Sequence, residues 1–248
     1  MSGINIDLNP YYQVTALPSQ FKAYPNGAKV FYRLLKTREA LELSGMTKDQ
    51  DVFRYILNGI KTEGFSKEDL LFVDFLFVSL LRNAYSGSVD RLQVEATCNS
   101  CGERFSTEVS LESVYMDDLD KVGEEVPVEG TEWALVLSKP TVGRYLDHLD
   151  MVEKEPGEES ILAMALPVKA LKNLSTGEEV LLDLASAKEV VKDVPSGMVE
   201  EFISKYMSED YPKVVVKCPH CGEENKLPVT NAGEVLVKPF RSGGGHTG

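Results

Sequence analysis

The sequence has few of the residues on which most chemistry depends. Its 248 residues include one tryptophan, three histidines and four cysteines. Three histidines with no nucleophile motif beside them give no candidate for a hydrolytic triad. The only glycine run, Gly243-Gly244-Gly245, stands in the final residues, without the strand-to-helix context that a phosphate loop requires. No apolar run approaches the ~20 residues needed to cross a bilayer. The longest, Leu70 to Leu81, is interrupted by Asp74 and Ser79 and reads as a buried helix. Met1 to Asp7 shows no basic region followed by an apolar stretch, so neither a secretory signal nor a transit peptide is expected there, and a reducing cytoplasm is the expected compartment. Neither an enzyme nor a small-molecule site is expected, and no residue is a candidate for catalysis or for cofactor binding.

A basic surface is also missing. The formal charge is −13, and residues 116–211 carry all of it, with 22 Asp and Glu against 9 Lys and Arg; the rest of the chain has 17 of each. Without a basic stripe, nucleic acid is not expected as a partner. Two readings of the acidity stay open, plain solubility and attraction to a basic protein partner. Acidic pairs such as Asp117-Asp118 and Glu158-Glu159 read as solvated faces.

The four cysteines are arranged as two pairs, Cys98-Asn99-Ser100-Cys101 and Cys218-Pro219-His220-Cys221, each followed by Gly-Glu. Each pair is framed by alternating segments, Leu92-Val94-Ala96 and Phe105-Thr107-Val109-Leu111 around the first, Val214 to Val216 and Leu227-Val229 around the second. Both should therefore sit at tips of β-hairpins. A Cys-x-x-Cys tip presents two thiolates, and two tips supply the tetrahedral four-cysteine shell of a structural zinc. Cys98, Cys101, Cys218 and Cys221 are the expected ligands of one zinc ion. Its shell would be closed, and its role architectural.

The rival is redox chemistry, because Cys-Pro-His-Cys has the dipeptide of a thiol-disulfide oxidoreductase. Such a site caps a long helix, whereas Glu223, Glu224, Asn225 and Pro228 follow here. Two unrelated reduced pairs are the third possibility. His220 reads as a solvent-facing spacer; His148 and His246 have no recognisable partner.

Along the chain, residues 1–28 read as an extended arm punctuated by Pro10, Pro18 and Pro25, lying on another subunit or wrapped over its own domain. Residues 29–90 read as a helical unit: a strand at Lys29 to Leu35, then three helices. Thr37, the Thr47/Gln50 pair and the Ser66/Asp69 pair are their expected caps, and Val52, Phe53, Ile56, Leu57 and Ile60 mark the second helix. Residues 91–115 and 212–238 form the split zinc ribbon. Between them, 116–211 is an acidic α+β insertion. It should contain a strand at Trp133 to Leu137, a helix opened by Pro140-Thr141, a charged loop over Glu153 to Glu159 and strands at Ile161 to Val168 and Glu179 to Leu182. A helix capped by Ser186 with Glu189 and another starting at Ser196 complete it. Residues 239–248 read as a flexible tail, with Phe240 and Arg241 as the anchor if it docks into a neighbour. The expected fold class is α+β.

Leu17-Pro18-Ser19 followed by Tyr24 and Gly27, Val30 to Leu35 with Glu39, the helices ending in Asp74 to Arg82, the Ser86-Gly87 break and then Cys98-x-x-Cys101 together resemble the baseplate hub proteins of contractile-tailed bacteriophages. The match covers roughly the first 115 residues best, and the second knuckle less closely. The resemblance implies a noncatalytic structural or assembly role through contacts with other baseplate hub or tail proteins. It implies the host cytoplasm during assembly, and leaves open whether the chain then stays in the virion tail baseplate or departs after acting as an assembly factor. The zinc expectation rests on this chain's own cysteines. A zinc-ribbon adaptor for nucleic acid or a transcription-type complex is the alternative function, and a thiol oxidoreductase the third.

Overall fold

The computed structural model describes residues 10–86, 91–110, 113–207 and 212–228. The tail with Phe240 and Arg241, the glycine run, His246, Gly87, Leu111 and Val229 lie outside these. The fold is α+β, and among the described residues every strand pairs antiparallel.

From residue 10 onward the arm packs on its own chain. Strand β1 (Tyr11–Gln13) pairs with β2 (Lys29–Arg33), which pairs with β3 (Ile60–Glu63) to make a three-stranded sheet. Beyond β1, Val14 and Leu17 are buried. Asp74, itself fully buried, then fastens the turn that follows: its carboxylate accepts hydrogen bonds from the Ser19 amide at 3.0 Å and from the Tyr24 hydroxyl, and that hydroxyl accepts one from the Leu71 amide at 2.9 Å. Burial pushes the Asp74 carboxyl above its ordinary value. A raised carboxylate contributes stability that is complete below its unfolded value and lost as pH rises through the folded one. Asp74→Asn should therefore flatten the pH dependence of melting above about pH 4. Asp74→Ala, which orphans two donors, should cost about 2–4 kcal/mol in urea unfolding.

Helices α1 (Thr37–Gly45), α2 (Asp49–Leu57) and α3 (Phe72–Tyr85) follow the expected order, but their starts differ. Thr37 is the first helical residue rather than the cap, because the Glu39 carboxylate reaches back to the Lys36 amide at 3.0 Å. The Thr47/Gln50 box does not form; the Gln50 amide donates to Glu153 instead. Ile60 belongs to β3, not α2. Ser66 precedes only a short 3-10 turn, Lys67–Asp69. The chain then stays extended through Leu70 and Leu71, where the Val142 amide donates to Leu70 at 2.7 Å and the Phe72 amide to Pro140 at 2.9 Å. Tertiary pairing here overrides helix propensity. Helix α3 runs through the main core, with Phe75 and Val78 fully buried.

The acidic stretch builds an antiparallel meander of β6 (Gly123–Pro127), β7 (Trp133–Ser138), β8 (Val168–Asn173) and β9 (Glu179–Leu181). Helices α4 (Val142–Lys154), α5 (Glu159–Ala165), α6 (Leu184–Asp193) and α7 (Ser196–Phe202) accompany it, and a second core gathers Leu135, Leu137, Leu162, Leu184 and Phe202. Ile161 to Ala165 is helical, not a strand. Leu162 and Ala165 are three apart and share one buried face, so the apolar run has helical rather than alternating period. The charged loop shrinks accordingly, since α4 continues to Lys154 and α5 starts at Glu159. Thr141 caps α4 as expected by accepting from the Arg144 amide, but α6 is capped by Asp183, which accepts from the Ser186 amide at 2.7 Å.

Helix α4 joins the two cores. Val142 and Leu146 are buried in the first, Tyr145 stacks on Phe72 with ring centroids 3.9 Å apart, and Lys48–Glu153 and Arg54–Asp150 pair beside it. Among the described residues, no helix is long and apolar enough to cross a membrane.

Candidate metal centre

Two hairpins carry the cysteines. Strand β4 (Arg91–Thr97) pairs with β5 (Arg104–Ser110), and β10 (Lys213–Lys217) with β11 (Glu224–Pro228). Alternation sends Val94, Phe105, Val214 and Val216 inward, into the same core as the helices. At each tip the backbone makes the same turn. The Cys98 amide donates to Glu103 at 2.9 Å and the Gly102 amide to Cys98 at 3.0 Å; the Cys218 amide donates to Glu223 at 2.8 Å and the Gly222 amide to Cys218 at 2.9 Å. Gly102 and Gly222 both have positive φ, +75° and +79°, which explains a glycine after each pair.

These equivalent turns face one another and bring all four sulfurs together. The Sγ atoms lie within 4.8 Å of one another, with Cys98 and Cys221 3.6 Å apart and Cys101 and Cys218 3.7 Å apart. A zinc tetrahedron with bonds of ~2.3 Å has edges of about 3.8 Å, whereas a disulfide needs ~2.05 Å. The four thiols are free and these two separations match the first spacing, so the donor set fits a tetrahedral ion. Cys98 and Cys218 are buried and Cys101 and Cys221 exposed, which leaves the site at the surface end of the hairpin pair.

The electrostatics point the same way. Hydrogen bonds from the Cys101 and Ser100 amides hold the Cys98 thiol down at about 6. At Cys221 the Glu223 amide also favours the thiolate, but local desolvation beside the other sulfurs and the hydrogen bonds with all three of them together push it up to about 12. Crowded sulfurs cannot all ionise alone; a divalent cation removes that obstacle.

His220 is exposed at the second tip and outside the sulfur cluster, while His148 lies half-buried on α4 with its Nδ1 unpartnered among the described residues. Cys221 leads through a turn into β11 rather than a helix, so the dipole that activates a thiol in oxidoreductases is not behind this pair.

Sequence reasoning missed two features. The bracket around residues 116–211 is closed by backbone as well as by the knuckles: Tyr115 and Lys213 exchange hydrogen bonds of 2.9 and 2.7 Å, and Asp117 pairs with Lys213 and Lys226. Neither partner carries a sequence signal. The other is Asn225, buried between the hairpins. A lone asparagine within a strand whose neighbours alternate was its available sign.

A protein-family model described as T4 bacteriophage base plate protein matches residues 9–236, while no curated protein and no solved structure matches. The matched span takes in the arm from residue 9 on, both cores and both cysteine hairpins, and the chain belongs to the T4 bacteriophage base plate protein family.

Proposed function

We propose that this base plate protein is a noncatalytic structural or assembly component of the tail baseplate hub, braced by one zinc ion on Cys98, Cys101, Cys218 and Cys221. Membership of a phage base plate family supports a structural role exercised through contacts with other tail proteins. The observation that carries the reading is the cluster of four cysteine sulfurs: an ion held by all four would have a closed shell, with no position for water or a substrate.

In this reading, arm 1–28 and unit 29–90 form the body, 91–115 with 212–238 the ribbon, and 116–211 the face offered to a partner. The ion and the Tyr115–Lys213 bridge hold the start and end of the acidic stretch together, and α4 fixes its angle to the body. Its partners are hub or tail proteins with basic surfaces, met in the host cytoplasm during assembly and kept in the virion tail. Nucleic acid, membrane and small molecules are not among them.

The test is purification of a tagged chain from phage-infected cells. Baseplate hub proteins should co-purify at low salt and fall away as ionic strength rises, because exposed charge is screened within ~8 Å at physiological salt. Recovery with nucleic acid and without tail proteins would overturn the proposal in favour of the adaptor.

A further inference from the structure

The two knuckles repeat one another as Cys-x-x-Cys-Gly-Glu, and two positions break the repeat in a complementary way. Asn99 stands where the second knuckle has Pro219, and Asn225 stands where the first hairpin has Phe105. Phe105 is an ordinary core residue. Asn225 is polar and only 1% exposed, a position that costs free energy unless its amide is satisfied.

It is satisfied across the two hairpins. Asn225 Oδ1 accepts the Asn99 backbone N–H at 2.9 Å, and its Nδ2 donates to the Glu223 carbonyl at 3.0 Å and lies 3.7 Å from Cys98 Sγ. The reciprocal tie cannot form, because Pro219 has no N–H and Phe105 no acceptor. The contact therefore runs one way, from the second hairpin to the first knuckle.

We infer that Asn225 is the positioning residue of the metal centre, an inference that rests on the four cysteines holding an ion. Through the Asn99 amide it sets the register of one hairpin on the other, and through Nδ2 it orients the Cys98 sulfur and shares its charge. The same asymmetry makes the two knuckles of one chain a matched pair. Two first knuckles meeting across copies would leave the Asn99 N–H without an acceptor, and two second knuckles would leave Asn225 Oδ1 facing a proline. An outer ligand of this kind changes metal affinity about 10–100-fold when removed.

The test uses the full chain, with zinc release to a colorimetric chelator and the cobalt(II)-thiolate absorption band as readouts. Asn225→Ala should release zinc roughly tenfold faster or more. Asn225→Asp keeps an acceptor for Asn99 but loses the donor to Cys98; it should shift the cobalt band and speed release even where its melting temperature stays near the parent's. A residue that merely fills space would lower melting without moving the band. If Asn225→Ala fails to fold, Asn225→Asp decides alone. Parental release rates and an unmoved band in a metal-holding chain would overturn the inference and leave the zinc reading intact. A parent chain that holds no metal would overturn both.

Discussion

A Cys101→Ser chain should lose its ion and melt well below the parent. Three thiolates leave an open corner, and the crowding that lifts Cys221 is then relieved by proton uptake rather than by a metal. An ion present at a thousand times its dissociation constant stabilises the fold by about 4 kcal/mol. For a chain of this length that is roughly 10 °C in melting temperature. Two apolar cores, the Tyr115–Lys213 bridge and the Tyr145–Phe72 stack do not depend on the ion, so the variant should remain folded. Amide exchange should rise at 91–110 and 212–228 and be passed on to the start and end of the acidic stretch, which those hairpins hold. Chelator should bring the parent to the variant's melting temperature and leave the variant unmoved. A variant that melted with the parent and still bound hub proteins would show that the knuckles brace nothing.

Glu39→Ala should be the costliest single change away from the cysteines. Arg82 is 1% exposed; its Nε donates to the Arg33 carbonyl at 3.0 Å and its Nη2 to Glu39 at 3.3 Å. Arg33 grips the same carboxylate with both terminal nitrogens, and the Lys36 amide completes it. One carboxylate thus balances two guanidinium groups, and burial has already pulled Arg82 down to about 10. Removing the partner of a buried charge costs about 3–5 kcal/mol. Gly59 permits this arrangement, since a Cβ there would stand 2.7 Å from the guanidinium carbon of Arg82. The acid limb carries the sign. Burial alone would raise the Glu39 carboxyl, but the Arg33 hydrogen bonds, the Lys36 amide and both guanidinium charges hold it below its ordinary value. A depressed carboxylate contributes stability present above its unfolded value, ~4.3, and lost as pH falls through the folded one. The parent should therefore lose stability below about pH 4 more steeply than Glu39→Gln in urea titrations.

The convergence of the cysteines was legible in the sequence because spacing, flanking alternation and the repeated Gly-Glu all depend on local chemistry. What escaped was settled at a distance. Glu39 displaces Thr37 as the effective cap, and Pro140 holds Leu70 and Leu71 extended ahead of α3. Strand β6, Gly-Glu-Glu-Val-Pro, pairs on one side only and shows no apolar alternation, so nothing in its composition announces it. The run at Ile161 misled because a short apolar segment fits either period until its buried partners are known.

The residues that carried the family resemblance have a physical reading too. Ser19, Tyr24 and Asp74 form one buried polar network. Glu39 and Arg82 form another, which Ser86 extends by accepting from the Leu35 amide and donating to the Arg82 carbonyl. Hydrophobic patterning does not register such groups. They fasten the arm, the sheet and α3 to each other, which supports the body that bears the ribbon.

Metal analysis of the purified full chain, paired with thiol titration, tests the central claim most directly. The account predicts one zinc per chain and four thiols that resist modification until a chelator is added. A metal-free chain whose four thiols react at once, or one that isolates with Cys218 and Cys221 joined as a disulfide, would contradict it.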